Sequence, residues 1–252
     1  MPEAMRQTAN TAVQTSAAVA ALPADNIEPA LIGVFGVMLE AYPQGALWWD
    51  HERLLVVADL HLEKGSSFAR RGQMLPPYDT GETLTRLSQL IWRLNPRTVA
   101  CLGDSFHDGG GPARLSPRDL RALAMLQTGR DWIWVAGNHD PQAHSLAGRH
   151  VESFTTGPLT FRHAPSPAPA GGEVAGHLHP AATVAGRGRW VRRRCFVGDG
   201  HRLVMPAFGA YAGGLDVFNR AFAGLFAADG FRVFMLGEDC VYPVGRQSLR
   251  AD

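Results

Sequence analysis

The chain has 252 residues, with 24 lysines and arginines against 23 acidic residues for a net charge of +1, and is 46% hydrophobic and 19% charged. This balance excludes a disordered polyelectrolyte and a strongly basic nucleic-acid coat. A chain of this length buries roughly 70 to 75% of its unfolded surface, so a metal site in it serves chemistry and is not needed for folding.

Residues 1–28, rich in Ala, Thr and Gln, hold no apolar core long enough for a signal peptide and read as a disordered extension ahead of a single domain over residues 29–252. No later run approaches the roughly 18 apolar residues of a membrane helix. Leu54 to Ala58 reads as a buried strand running into Asp59. A helix follows, with Leu84, Leu87, Leu90, Ile91 and Leu94 at helical spacing, Asp79 and Glu82 as a carboxylate capping pair, and Pro96 closing the run. Thr98 to Leu102 is a second buried strand, running into Gly103 and Asp104. The next helix starts at Ser116 with Pro117 in its first turn, carries Leu120, Leu123 and Ala124 inward, and stops at Gly129. Trp132 to Ala136 completes an alternating strand and helix series, an α/β signature, and runs into Gly137 and Asn138. From Leu159 onward the pattern turns to β, with strands over 159–162, 173–175, 190–197, 203–205 and 231–236. Cys101, Cys195 and Cys240 form no CxxC pair and read as reduced packing thiols of a cytoplasmic protein.

The strand ends collect a constellation: Asp59-Leu-His61, Gly103-Asp104-Ser-Phe-His107-Asp108, Gly137-Asn138-His139-Asp140, His163 and Gly176-His177-Leu-His179. Six of the ten histidines fall in it, while His51, His144, His150 and His201 read as packed or solvated residues. Imidazole nitrogen with carboxylate and amide oxygen, and no thiolate, suits Mn, Fe, Zn or Co better than Ca or a structural zinc. The set fits a two-metal hydrolytic centre, in which one carboxylate bridges two cations that hold a hydroxide and neutralise a phosphoryl group. Asp104 is placed for the bridge. His107 fits a ligand or a supporting partner equally.

Arg187, Arg189, Arg192, Arg193 and Arg194 lie within eight residues and flank Trp190. They read either as a phosphate-contacting edge with a stacking ring or as a solvated strand and turn. Arg70, Arg71 and Lys64, the sole lysine, present the same choice beside the first motif.

The ordered series resembles the calcineurin-like metallophosphoesterase superfamily over about Leu54 to Pro180. A narrower likeness, from about Gly36 to Val244, rests on Asp59-Leu-His-Leu-Glu-Lys-Gly-Ser-Ser-Phe-Ala-Arg-Arg-Gly72, Leu75-Pro-Pro-Tyr-Asp-Thr80, Gly103-Asp-Ser-Phe-His-Asp108 and Met205-Pro-Ala-Phe-Gly-Ala-Tyr-Ala-Gly-Gly214. These segments are similar to the bacterial ligase-associated DNA damage response endonucleases. The resemblance implies an α/β fold, a four-layer αββα sandwich of two mixed sheets flanked by helices. It implies two divalent metal ions, Mn first, one held by Asp59, His61, Asp104 and His179 and the other by Asp104, Asn138, His163 and His177. His139 matches the histidine that stabilises the transition state or protonates the leaving oxygen. The implied activity is endonucleolytic cleavage of DNA, single-stranded by expectation, in DNA repair beside an ATP-dependent DNA ligase, a helicase and an exonuclease. A small-molecule or nucleotide phosphodiesterase with the same site is the alternative. The complete ligand set opposes a non-catalytic scaffold. His107 and Asp108 stand where phosphoprotein phosphatases carry Asp-Arg, which turns the reading away from that branch.

Overall fold

The computed structural model describes residues 27–186, 188–226 and 230–252. Most of the extension expected over residues 1–28, and Arg187 of the arginine cluster, lie outside the described residues. At the start of the described residues Ile27 packs on the core and Glu28 bridges to Cys240.

Seven strands form the first sheet in chain order: β1 (Ala30–Val34), β2 (Val37–Ala41), β3 (Leu47–Trp49), β4 (Leu54–Val57), β5 (Thr98–Leu102), β6 (Asp131–Val135) and β7 (Arg149–Val151). The pairings from β1 to β4 are antiparallel and those from β4 to β7 parallel. Helices α1 (Lys64–Ala69) and α2 (Asp79–Leu94) connect β4 to β5, and α3 (Gly111–Arg114) and α4 (Pro117–Gln127) connect β5 to β6.

The second sheet holds β8 (Ser153–Thr156), β9 (Leu159–Arg162), β10 (Gly172–Ala175), β11 (Pro180–Gly186), β12 (Arg189–Gly198), β13 (Arg202–Val204), β14 (Leu215–Asp216), β15 (Arg232–Leu236), β16 (Val241–Val244) and β17 (Leu249–Arg250). Its main path runs β14-β11-β12-β13-β10-β9-β8, with β15 beside β12, β16 beside β15 and β17 beside β11. It is mixed, since β10 runs parallel to β9 and β13 while β11 and β12 form an antiparallel hairpin.

The sheets pack face to face. Ile32, Leu54, Val56, Ala100, Leu102, Ile133 and Val135 of the first meet Leu159, Phe161, Val174, Phe196 and Leu203 of the second. The other face of the first sheet, with Leu55, Val57, Val99 and Trp134, is covered by Leu84, Leu87, Leu90 and Ile91 of α2 and Leu123 and Leu126 of α4. Strands β4 to β6 are therefore buried on both faces, which is why they read as unbroken apolar runs. The outer layer over the second sheet is thin: among the described residues it is the 3-10 turn Arg220–Phe222 with Leu225 and Phe226.

Three local expectations need correction. Asp79 does not cap α2; the cap position is Tyr78 without a side-chain bond, and the Asp79 carboxylate instead accepts the Gly65 N–H at 3.0 Å. In α4, Ser116 caps as expected by accepting from the Asp119 N–H, but Leu120 is 43% exposed and Ala124 is exposed. The inward stripe is Leu123, Leu126 and Gln127.

Candidate metal centre

Both sheets deliver residues to one cleft. Asp59 and His61 follow β4, Asp104 follows β5, and Asn138 and His139 follow β6; His163 follows β9, His177 follows β10, and His179 precedes β11. This is the carboxyl end of the parallel strands, where polar loops gather without interrupting the sheet. The loops are laced together, with the His61 N–H on the Asp104 carbonyl at 2.9 Å and the Gly176 N–H on the His163 carbonyl at 2.8 Å. Asp59, His61, Asp104, His177 and His179 all sit in left-handed backbone, with φ of 54°, 44°, 44°, 69° and 45°. Such conformations cost roughly 1–3 kcal/mol for a residue with a side chain and persist only where packing enforces them.

Two groups of ligand atoms converge. Asp59, His61 and His179 form one, and Asp104, His163 and His177 the other. Each buried carboxylate is half used. Asp59 Oδ2 accepts the His177 N–H at 2.9 Å, while Oδ1 has no hydrogen-bond partner and lies 3.3 Å from His179 Nε2. Asp104 Oδ1 accepts the His139 N–H at 2.8 Å, leaving Oδ2 at 3.5 Å from His163 Nε2.

His163 shows how the donor atoms are arranged. Its Nδ1 donates to the Leu102 carbonyl at 3.0 Å, so in the neutral ring Nε2 is a lone-pair acceptor. Around that nitrogen stand Asn138 Oδ1 and His177 Nδ1, each at 3.0 Å, and Asp104 Oδ2. In that tautomer at most one proton, on His177 Nδ1, is shared among these lone pairs. A cation relieves the repulsion, and a hard or borderline divalent ion suits the nitrogen and oxygen donors. The residues present thus fit a metal.

Burial and neighbouring charge disfavour protonation of His61 and His177. Burial first, then His179, His139, His107 and Lys64, push the His61 pKa down to about 2. Burial and then His163 lower that of His177, against the pull of Asp59 and Asp104. His139 is exposed, donates from Nδ1 to the His107 carbonyl at 2.9 Å, and stacks on the His107 ring with centroids 5.2 Å apart. His107 also joins His61 and His139 in a third group of close ligand atoms, so the structure keeps both of its expected roles open.

The arginine cluster divides between side chains held by the protein and side chains left exposed. Arg192 donates from Nε to Asp252 at 2.6 Å and from Nη2 to the Gly214 carbonyl at 2.7 Å. Arg194 spends Nη1 on the Ala207 and Gly209 carbonyls at 2.7 and 3.1 Å. Arg193 is exposed, and its Nη1 reaches the Arg192 carbonyl. Trp190, 66% exposed, pairs with Ala185, six residues along β11 from His179 and so roughly 20 Å away.

For other residues that the sequence named, only the structure shows the contacts. The segment after β13 crosses the first motif, with Phe208 N–H on the Ala58 carbonyl at 2.8 Å, Gly209 N–H on Asp59 at 3.2 Å, and Lys64 Nζ on the Tyr211 carbonyl at 2.9 Å. Asp140 accepts the Phe106 N–H at 3.0 Å behind Asp104, and burial first, with the Asp104 charge, raises its pKa to about 6. Cavity size is no guide here. A cavity of about 920 Å³ lies away from the ligand groups, lined by Arg97, Thr98 and Asp131 at the opposite end of the first sheet.

A family model described as calcineurin-like phosphoesterase matches residues 52–203. No curated protein matches the chain. Among solved structures, nuclease MPE of Pseudomonas putida is 27% identical, with 86% of this chain and 100% of that one covered and a TM-score of 0.68. Yfce, a phosphoesterase from E. coli, is 16% identical with a TM-score of 0.36, covering 79% of this chain and 96% of its own.

Proposed function

This chain belongs to the calcineurin-like phosphoesterase family, metal-dependent hydrolases of phosphoester bonds, and from that premise we propose that it cleaves phosphodiester bonds in DNA at a dinuclear centre. The observation that carries the reading is the pair of half-used carboxylates, Asp59 and Asp104, set among bare imidazole nitrogens. The nuclease relative supports DNA as the polymer.

In this reading Asp59, His61, Asp104 and His179 would hold one ion, and Asp104, Asn138, His163 and His177 the other. Two divalent cations, Mn by the resemblance, supply Lewis acidity that lowers the pKa of a water and neutralises phosphoryl oxygens. The protein's part is placement. Main-chain N–H groups fix one oxygen of each carboxylate, so the other is presented without rotational freedom. His139 is held by Nδ1, which leaves Nε2 to carry a proton to the leaving oxygen. A repair role beside a ligase, a helicase and an exonuclease rests on the likeness of the motifs. The free thiols Cys101, Cys195 and Cys240 suit a cytoplasmic setting.

The test compares Mn-dependent turnover of circular single-stranded DNA, duplex DNA and cyclic nucleotides by the wild type and Asp104→Ala. Cleavage of the circle, with at least about a thousandfold loss in the variant, is expected. Turnover of cyclic nucleotides alone would instead make this a small-molecule phosphodiesterase.

A further inference from the structure

The two flanks of the cleft differ in how their cations are used. On the β12 flank, Arg192 and Arg194 are occupied by Asp252 and by main-chain carbonyls. On the α1 flank, the half-exposed Phe68 ring lies 5.5 Å from the His107 ring, and Lys64 Nζ stands 5.8 Å from the Phe68 centroid. Arg70 and Arg71 follow directly and are exposed. Arg70 Nη1 lies 3.7 Å from where a Cβ on Gly110 would stand, which sets it against the loop that carries His107. Arg114 on the same loop is neutralised by Asp108 through two bonds of 2.8 and 2.9 Å. Among the described residues, neither Arg70 nor Arg71 has a carboxylate within ion-pair distance.

Resting on the reading of this chain as a DNA-cleaving phosphodiesterase, we infer that the substrate strand crosses the α1 flank, with phosphates on Arg70 and Arg71 and a base stacked on Phe68. Unpaired, exposed guanidinium groups present planar donor forks that match phosphate oxygens. An aromatic ring between them and the catalytic histidines gives a splayed base a surface whatever its identity. Arg193 on the β12 flank is exposed as well, so the choice of flank follows from closeness to the site: Phe68 lies against the His107 ring and Arg70 against the loop that carries it.

The experiment uses the full chain, a fluorescent single-stranded oligonucleotide and bis(p-nitrophenyl) phosphate, a diester with no flanking phosphate for Arg70 or Arg71 to bind. In Arg70→Ala/Arg71→Ala, the ratio of kcat/KM for the oligonucleotide to that for the small diester is expected to fall tenfold or more. The slope of log affinity against log salt, read by anisotropy, should flatten by about 1.4 for two lost phosphate contacts on a single strand. Arg70→Lys/Arg71→Lys, which keeps the charge, should restore the slope. An unchanged ratio and slope in the alanine variant would overturn the inference while leaving the hydrolytic reading intact, as would an equal loss in Arg193→Ala. Wild-type protein that hydrolyses the small diester but no oligonucleotide would remove the DNA reading and this inference with it.

Discussion

A methyl group on Gly137 would stand 2.1 Å from the Asp104 nitrogen and 2.2 Å from its Oδ1, where no side chain fits. Since the Asp104 backbone itself is in the way, Gly137→Ala must shift the carboxylate. Displacement of about 1 Å at a reacting centre costs on the order of a hundredfold in rate. Gly137→Ala is expected to lose about that much turnover and to bind Mn at least tenfold more weakly in calorimetry, with an unchanged far-ultraviolet spectrum. The same crowding is invisible in the sequence, where Gly137 reads only as a tight exit from a strand. Titration at this scale has a definite sign. His61 has a folded pKa of about 2 against an ordinary 6.5. Between those values the unfolded chain binds a proton that the folded chain refuses, so stability is complete above about pH 6.5 and declines as pH falls. Acid therefore acts on the metal-free fold first. The melting temperature without metal should drop between pH 7.5 and 5, and the drop should be shallower in His61→Asn; parallel curves would contradict the assignment.

At the scale of elements, strands β4, β5 and β6 were legible because burial on both faces writes itself as an apolar run with ligands at its end. Strands β1 and β2 were not. They alternate buried and exposed positions, but Leu31 and Met38 face outward at 63% and 57% exposure, so no polar alternation marks them. The inner face of α4 was misread for a similar reason, since Leu120 and Met125 are apolar yet exposed, while Gln127 is buried. The corrected register has a measurable consequence. Leu87 of α2 is fully buried against the first sheet, and Leu87→Ala is expected to cost about 2–5 kcal/mol in denaturant unfolding. Leu120→Ala should cost no more than about 0.5 kcal/mol, and a core-sized loss there would restore the original register.

For the whole molecule, the convergence of Asp59, His61, Asp104, His163, His177 and His179 was foreshadowed by residue types and order, because all but His179 follow a strand and His179 stands just before one. What sequence could not reveal was competition for charge. Arg192 and Arg194 look like free cations until Asp252 and the carbonyls of the 205–214 segment are seen to hold them. A net charge of +1 likewise understates the cleft, where bound cations would add local positive charge that a residue count omits. The existence of that dinuclear centre is decided by calorimetric titration of the metal-free chain with Mn at pH 7.5. Two equivalents bound by the wild type, with both high-affinity events lost in Asp104→Asn because its carboxylate serves both ions, is the expected result. Fewer than one equivalent in the wild type, or undiminished binding in Asp104→Asn, would contradict it.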